Sequence, residues 1–169
     1  MTAAPVDLEK LTLAPLPPEA HHLLWGWLNE FPKANFDDTG PKDLEEFLNM
    51  LLAGAQLGVK IVGARHEDEW VGAISVVQTG PTSAMFKGIC FTKSVHGSGI
   101  PQLAVKGVIQ TLRERGIRKI RAQYFADNRR IHHFLKRLGF TEEAYLKDEA
   151  PRGGRELDVR QVALRMEGA

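Results

Sequence analysis

A turn with two glycines separated by one residue stands between a predicted strand and a predicted helix, in the segment Ser94 to Pro101 (SVHGSGIP). This arrangement leaves free backbone N–H groups at the N-terminus of the helix, and those groups and the helix dipole favour a phosphate or pyrophosphate. Gly97 and Gly99 allow the backbone to approach an anion closely. Many tight turns share this composition, so the turn alone does not identify its ligand.

Two well-known phosphate-binding patterns do not fit this turn. The P-loop requires GxxxxGK(S/T), and no Lys follows the glycines here. The dinucleotide fingerprint requires a third glycine three residues after Gly99, where this sequence has Gln102. Neither pattern therefore accounts for the turn.

A second motif lies downstream, where Asn128 opens a predicted helix that ends in Leu138-Gly139-Phe140. Together the two motifs resemble those of the GCN5-related N-acetyltransferase (GNAT) family. Ser94 to Gly99 matches the family's coenzyme A loop, (Q/R)xxGx(G/A), at both glycines. Asn128 to Phe140 matches its later motif, Nxx(A)xxxYxxxGF, at the Asn and at the terminal Gly-Phe.

The resemblance covers nearly the whole chain, because the order of predicted elements also agrees, and the segment Phe91 to Phe140 is most similar to phage and prophage members. It implies the α+β GNAT (acyl-CoA N-acyltransferase) fold, with a central mixed, mostly antiparallel sheet of about six or seven strands flanked by about four helices. It also implies an enzyme that moves an acetyl group from acetyl-CoA to a primary amine.

The resemblance further assigns binding roles to residues of this sequence. The pyrophosphate would lie against four backbone amides, those of Gly97, Ser98, Gly99 and Ile100. The strand edge near Ile89 and Phe91 would hydrogen-bond the pantetheine arm as an added strand does. Asn128 would orient the pantetheine or the thioester region, while Lys93, His96 and basic residues of the following helix could meet the phosphates of the nucleotide.

Three residues depart from the family pattern. Ser94 replaces the usual Gln or Arg, and Pro101 cannot donate an N–H, although proline suits the first turn of a helix. Leu135 stands where the family usually has a Tyr that protonates the departing thiolate. The identity of the general acid is therefore open.

Two side chains are candidates for that role. At about 100° per residue, His132 is rotated about 40° from Asn128 and shares a face with Leu135, whereas His133 is turned away. His132 could supply an acid or a relay, or be a polar residue at the rim of the helix. Tyr124 ends a predicted central strand, where its phenol could donate to sulfur, line the pocket or pack in the core.

The acceptor side is less defined by the sequence. No Glu or Asp lies on the predicted strand Met85 to Thr92, where some family members keep a base, so a water-mediated base or an amine arriving neutral is expected. In the family, the segment between the first two helices covers the acceptor. Here that segment is Asn29 to Gly40, which we call the lip. Acidic and aromatic residues of the lip, with Trp27 just before it, would suit a cationic amine. Alternatively, the lip is an ordinary surface loop with its aromatic side chains packed inward. The residues concerned are Trp27, Phe31, Phe36, Asp37 and Asp38.

Length and composition restrict the class of protein. A chain of 169 residues predicts one domain, residues 1–169. Its 43% hydrophobic and 25% charged residues exclude disordered, collagen-like and coiled-coil proteins. One cysteine, Cys90, excludes an intrachain disulfide framework and a Cys-rich zinc site. The adjacent pairs His21-His22 and His132-His133 diverge too far to chelate, so we expect no metal. Without a signal peptide or a membrane-length apolar run, a cytoplasmic location is expected.

The net charge of +1 conceals an uneven distribution. Residues 1–70 carry a formal charge of −7, and residues 101–140 carry +8. This asymmetry indicates an anionic ligand on one side and a cationic one on the other, or simply solvated faces of helices and strands.

Hydrophobic periodicity and turn residues predict the element order β-α-α-β-β-β-α-β-α-β-β. The first strand is predicted from Val6 to Leu13, the second helix from Pro41, and the last helix with Asp127 as its cap. Turns are predicted at 66–69, 78–83 and 151–154, and the last two strands at 140–146 and 162–166.

Three functions remain compatible with these patterns. The first is an acetyl-CoA-dependent N-acetyltransferase with an amine acceptor. The second is a catalytically silent GNAT-like binding or structural module, because the Tyr is missing and Pro101 follows the loop. The third is a nucleic-acid-associated protein that uses the basic segment 101–140. The acceptor and the acyl group are not specified, and a homodimer is left open.

Overall fold

The computed structural model describes residues 8–167. Val6, where the first strand was expected to begin, lies outside these residues. A 3-10 turn occupies Leu8–Lys10, so the first strand is shifted toward the C-terminus relative to the expectation.

Seven strands form one sheet in the order β1-β2-β3-β4-β5-β7-β6. Every neighbouring pair is antiparallel except β4 and β5, which are parallel. The predicted mixed, mostly antiparallel sheet is therefore confirmed. The strands are β1 Leu11–Pro15, β2 Lys60–His66, β3 Glu69–Gly80, β4 Ser83–Phe91, β5 Lys119–Phe125, β6 Thr141–Arg152 and β7 Arg155–Arg165.

Five α-helices occur among the described residues, one more than the expected four, because a single turn forms within the lip. They are α1 His21–Asn29, α2 Pro32–Asn35, α3 Leu44–Gln56, α4 Ile100–Glu114 and α5 Arg129–Arg137. The helices cover both faces of the sheet. α4 and α5 pack on one face around Ile100, Val105 and Leu135, while α1 and α3 pack on the other around Trp27 and Phe47.

Side-chain caps determine where two helices begin. α3 starts after Asp43 rather than at Pro41, because the Asp43 carboxylate accepts a hydrogen bond from the amide of Glu46 at 2.9 Å. α5 is capped by Asn128, whose Oδ1 accepts from the amide of Ile131 at 3.3 Å. The prediction of Asp127 as this cap was wrong, since its carboxylate is turned outward to Arg152 at 3.1 Å.

Tight turns join the hairpins at the predicted places, but the strands are longer than expected. Glu67 and Asp68 both have positive φ (52° and 66°) between β2 and β3, as a two-residue hairpin turn requires. Gly153 and Gly154 have positive φ in the turn between β6 and β7. Those two strands run for 12 and 11 residues, so β6 and β7 form a long hairpin that extends beyond the rest of the sheet's pairing.

The parallel pairing of β4 with β5 is short. Only Ser83 to Phe86 of β4 pair with Lys119 to Ala122 of β5, and the strands separate toward their C-terminal ends. Near the point of separation β4 carries a bulge, because Phe86 pairs with Val76 and Gly88 with Ser75, which leaves Lys87 as the extra residue. The separation opens a wedge-shaped gap, which we call the splay.

One carboxylate links the three strands at the far edge of the sheet. Glu143 on β6 lies in a bulge and forms an ion pair with Lys119, an ion pair with Arg121 at 3.0 Å and a hydrogen bond from Gln161 at 2.9 Å. Hydrogen bonds from Lys119, Gln161 and Arg121 lower the pKa of Glu143 from its ordinary 4.5 to about 2. The carboxylate therefore stays ionised well into acid.

We expect the substitution Glu143→Gln to lower the melting temperature at neutral pH by about 2–4 °C, because partly exposed ion pairs contribute at most about 1 kcal/mol. Since the pKa is lower in the folded chain, the carboxylate stabilises the fold above pH 4.5 and this contribution is lost as the pH falls toward about 2. Thermal melts over this range should show that the difference in melting temperature between wild type and Glu143→Gln becomes smaller as the pH falls.

The control is Glu156→Gln on β7, because the Glu156 side chain is exposed and makes no hydrogen bond or ion pair with any described residue. It should melt close to wild type at every pH. A difference between wild type and Glu143→Gln that persisted unchanged at pH 2 would contradict the assigned role.

Candidate active site

The edge of β4 that faces the splay offers backbone hydrogen-bonding groups. Thr92 donates its amide to Val71 of the neighbouring strand at 2.8 Å. Because backbone groups alternate sides along a strand, those of Phe91 and Ile89 point away from β3 into the gap. The Phe91 carbonyl already accepts from His96 at 2.9 Å, so the amide of Phe91 and both backbone groups of Ile89 remain open on this edge.

The glycine turn continues directly from this edge. Gly97 and Gly99 have φ angles of 77° and 90°, in the left-handed region that glycine adopts without strain. The Ser98 amide donates to Val95 at 3.2 Å, and the Ile100 amide to the Ser98 hydroxyl at 3.2 Å. Of the four amides predicted to hold a pyrophosphate, those of Gly97 and Gly99 donate to no described residue, and the other two are engaged within the turn.

His96 is held by both ring nitrogens. Its Nε2 must donate to the Phe91 carbonyl, because a carbonyl only accepts, so Nδ1 is left to accept from Arg130 at 2.5 Å. The ring stacks on Phe31 of the lip, with centroids 5.3 Å apart. His96 therefore lies beside the glycine turn as expected, but its nitrogens bind the protein and are not open to a phosphate.

A cavity of about 680 Å³, which we call the loop cavity, lies between the glycine turn, α5 and the lip. Arg130, His133 and Arg137 give its α5 wall a basic character. Gln102, in the first turn of α4, also borders it, and the buried Oε1 of Gln102 has no hydrogen-bond partner among the described residues. The cavity thus offers open amide donors, cationic side chains and an unpaired acceptor.

Two further cavities adjoin the loop cavity. One of about 400 Å³, the splay cavity, fills the gap between β4 and β5 and is bordered by Tyr124, Asn128, Leu135 and Glu149. The other, of about 270 Å³, lies behind the lip against α1 and α3 and is called the lip cavity. Asn35 and Ile89 border all three cavities.

The two residues predicted to act as an acid or relay are in contact. The Tyr124 hydroxyl and His132 Nδ1 are 2.6 Å apart. Burial raises the pKa of Tyr124, an effect that Arg160 partly opposes. Burial and then the nearby cations Arg160 and Lys136, together with His133, lower the pKa of His132 below its ordinary value. Both shifts favour the uncharged forms, a protonated phenol and a neutral imidazole, and the tautomer of His132 decides which of the two groups donates the hydrogen bond.

The orientation of the adjacent histidines differs from the helical-wheel expectation. His133, which was expected to be turned away, borders the loop cavity, whereas His132 borders none of the three cavities. The expectation for His133 was wrong because the cavities wrap around two sides of α5. Tyr124 borders the splay cavity together with Leu135, so a phenol from β5 lies beside the position that lacks one on α5.

The aromatic residues of the lip pack inward, which is the alternative that the sequence left open. Phe36 packs against Trp25 with ring centroids 5.6 Å apart, and Trp27 is buried. Asp38 also serves the fold, because its carboxylate accepts from the amide of Gly153 at 2.9 Å. Asp37 alone of the two aspartates borders cavities, those of the lip and the splay.

The tip of the β6–β7 hairpin closes over the lip. The Asp38 amide donates to the Pro151 carbonyl at 2.7 Å, and the Arg152 guanidinium donates to the carbonyl of Lys33. A bulge in β6 between Leu146 and Ala150 brings Glu149 to the splay cavity. Asp158 holds that bulge by accepting from the Asp148 amide at 2.9 Å and from the Tyr145 hydroxyl at 2.8 Å.

Sequence reasoning missed three residues that border the cavities: Asn35, Gln102 and Glu149. Gln102 could have been found from its place in the first turn after the glycines. Glu149 could not, because its position depends on the bulge, and Asn35 could not, because the lip was read as a loop.

Residues 8–167 contain no group of three His, Cys, Asp or Glu side chains arranged to hold a metal ion. None of the helices in the described part of the chain combines the length and the apolar character needed to cross a membrane.

Comparison with known proteins identifies the family to which this chain belongs. The model of the acetyltransferase (GNAT) family matches residues 21–140. The chain therefore belongs to the GNAT family, whose members are acyl-CoA-dependent N-acetyltransferases. The finer likeness to phage and prophage members stays a prediction.

Solved structures share the fold at low sequence identity. A ribosomal-protein-alanine N-acetyltransferase from Brucella melitensis is 20% identical, with a TM-score of 0.75 over 92% of this chain and 99% of that one. Spermidine N-acetyltransferase from Vibrio cholerae, in complex with CoA and spermine, is 17% identical, with a TM-score of 0.78 over 94% and 96%. A protein from Salmonella typhimurium solved with its cofactor acetyl-CoA is 15% identical, with a TM-score of 0.74 over 95% and 96%. A search of curated protein sequences finds no match.

Proposed function

We propose that this chain, as one domain, transfers an acetyl group from acetyl-CoA to a primary amine. The observation that carries the proposal is the continuous path from the open edge of β4 at Ile89 to the open amides of Gly97 and Gly99. A family member that uses acetyl-CoA needs such a path for a pantetheine arm and a pyrophosphate. Structures of similar fold bind acetyl-CoA or CoA, which supports this assignment.

The residues along the path fit the chemistry of acetyl-CoA. The amides of Gly97 and Gly99 would hold the pyrophosphate, and Arg130 and Arg137 would offset its charge. Ile89 would pair with an amide of the pantetheine arm, as an added strand does. The unpaired Oε1 of Gln102 would accept a hydrogen bond from that arm, which would satisfy a buried acceptor.

Asn128 would act at the far end of the path. Its Oδ1 is engaged in capping α5, so its Nδ2 is the group that would donate to the pantetheine or the thioester region. Because the cap fixes χ angles of this side chain, Asn128 would present that donor in one orientation.

Acetyl-CoA supplies an acetyl group activated as a thioester; transfer forms a C–N bond, breaks the C–S bond and leaves the sulfur in need of a proton. We assign Tyr124 as the donor of that proton, because it borders the splay cavity and its raised pKa keeps the hydroxyl protonated. In the tautomer with hydrogen on Nδ1, His132 would donate to the Tyr124 oxygen, which leaves the hydroxyl hydrogen free for the sulfur. After that transfer the Nδ1 proton would pass to the phenolate oxygen, and Nε2 of the half-buried imidazole would take a proton from solvent.

The acceptor would enter from the opposite side of the splay. Asp37 and Glu149 border the splay cavity and would attract an amine in its cationic form. β4 carries no carboxylate, so the amine would lose its proton to water at the mouth of the cavity. Structural neighbours named for spermidine and for a ribosomal-protein alanine act on primary amines, which supports that acceptor class here.

Binding of acetyl-CoA can be tested at Gly97. We expect Gly97→Asp to abolish the rise in melting temperature that acetyl-CoA gives, because the new carboxylate would face the amides that hold the pyrophosphate. Differential scanning fluorimetry at millimolar acetyl-CoA measures this shift, and thiol release measures turnover.

Gly116→Asp is the matched control. Gly116 has a similar positive φ of 92° and open space where a Cβ would go, so the same side chain meets the same backbone strain away from the cavities. It should keep the acetyl-CoA shift. No shift for the wild-type protein, or an equal shift in Gly97→Asp, would refute the proposal.

The assigned acid is tested by removing one hydroxyl. Tyr124→Phe should lower kcat by about 100-fold or more, the usual contribution of a general acid, with little change in the KM for acetyl-CoA. Tyr145→Phe removes the other tyrosine hydroxyl of the chain, which lies on exposed β6. Because the Asp148 amide still donates to Asp158 and holds the β6 bulge, this variant should leave kcat within about twofold of wild type. Equal kcat values for both variants would remove Tyr124 from the mechanism.

A further inference from the structure

Asn35 lies where the three cavities meet. It is the last residue of α2, half-buried within the lip, and it borders the loop, splay and lip cavities. Ile89, on the open edge of β4, is the other residue that borders all three. Both residues therefore border the junction at which the three cavities adjoin.

The hydrogen bonds of Asn35 leave one polar group open. Its Nδ2 donates to the carbonyls of Leu28 and Phe31, each at 3.0 Å. A carboxamide has two N–H bonds, and both are thereby engaged. The two carbonyl acceptors also fix which end of the carboxamide is nitrogen. Oδ1 is left to accept a hydrogen bond, and no described residue donates to it.

A free acceptor at this junction matches the needs of an amine nucleophile. An uncharged primary amine has N–H bonds to donate and a lone pair with which to attack. If one N–H is donated to Oδ1 of Asn35, the lone pair can be directed toward the edge of β4 at Ile89. Asp37 and Glu149 border the adjoining splay cavity and favour the arrival of a cationic amine.

We propose that Oδ1 of Asn35 binds and orients the acceptor amine. The inference rests on the proposed acetyl transfer, because the thioester must lie along the edge of β4. The alternative is a purely structural role, in which Asn35 only ties α2 to the end of α1. The two roles predict different orders of activity for two variants.

Asn35→Asp and Asn35→Ala separate these roles. Aspartate keeps an oxygen facing the junction, but its second oxygen would oppose the carbonyls of Leu28 and Phe31, so this variant should be the less stable of the two. Alanine removes the acceptor without that repulsion. If Asn35 orients the amine, Asn35→Ala is the less active variant although it melts higher. If the role is structural, the less stable variant, Asn35→Asp, should also be the less active one.

The kinetic experiment measures thiol release from acetyl-CoA with spermidine and L-alaninamide as probe amines. Asn35→Ala should lower kcat/KM for the amine by about 10- to 100-fold and leave the KM for acetyl-CoA within about twofold. Asn29→Ala is the matched control, because Asn29 also donates Nδ2 to a helix carbonyl, that of Trp25 at 2.8 Å, yet borders none of the three cavities. It should retain wild-type kcat/KM.

A second readout does not need turnover. In protein saturated with CoA, the side-chain amide resonances of Asn35 and Asn29 are followed by ¹H–¹⁵N NMR while each probe amine is added. The side-chain amide resonances of Asn35 should shift when the amine is added, and those of Asn29 should not. A shift of the Asn35 resonances without any thiol release would refute the proposed acetyl transfer but support binding of the amine at Asn35. Thiol release with Asn35→Ala unaffected, or no Asn35 shift with either amine, would overturn the role of Asn35.

Discussion

Two parallel strands that pair over four residues and then diverge leave their facing edges without a partner beyond that point. In this chain one of these edges is that of β4 beyond Phe86, and the rest of the site is arranged around it. The bulge at Lys87 marks where the separation begins, and the glycine turn with the start of α4 prolongs the edge. Ile89 borders all three cavities, so in the proposed reaction the same unpaired edge would serve the coenzyme on the side of the loop cavity and the acceptor on the side of the splay cavity.

Local signals in the sequence were sufficient for the elements that carry this edge. The glycine turn, α4 after it and α5, which ends just before Gly139, could all be predicted. Turn glycines, apolar periodicity and the residue types that end helices determine structure over only a few residues. Tyr124 and His132 were found separately, but their contact depends on how α5 packs on β5. Asn35 and Glu149 could not be found, since a one-turn helix in the lip and a bulge in β6 are stabilised by contacts distant in sequence.

The uneven charge of the chain acquires a structural meaning. Part of the basic segment 101–140 is neutralised within the sheet, where Lys119 and Arg121 meet Glu143. Another part, Arg130 and Arg137, borders the loop cavity, where it would offset the charge of the proposed pyrophosphate. The acidic first half contributes Asp37 to the opposite side of the splay. Residues from the two halves of the charge pattern thus border adjoining cavities.

The proposed transfer of a proton from Tyr124 requires that its hydroxyl face the reacting sulfur from the splay. A crystal structure of the protein with acetyl-CoA measures this directly, as the distance from the Tyr124 hydroxyl oxygen to the thioester sulfur. We predict a distance within about 3.5 Å, the outer range of a hydrogen bond, with the pantetheine arm along β4 at Ile89. A sulfur that lies against another donor, or an arm that leaves the edge of β4, would contradict the account.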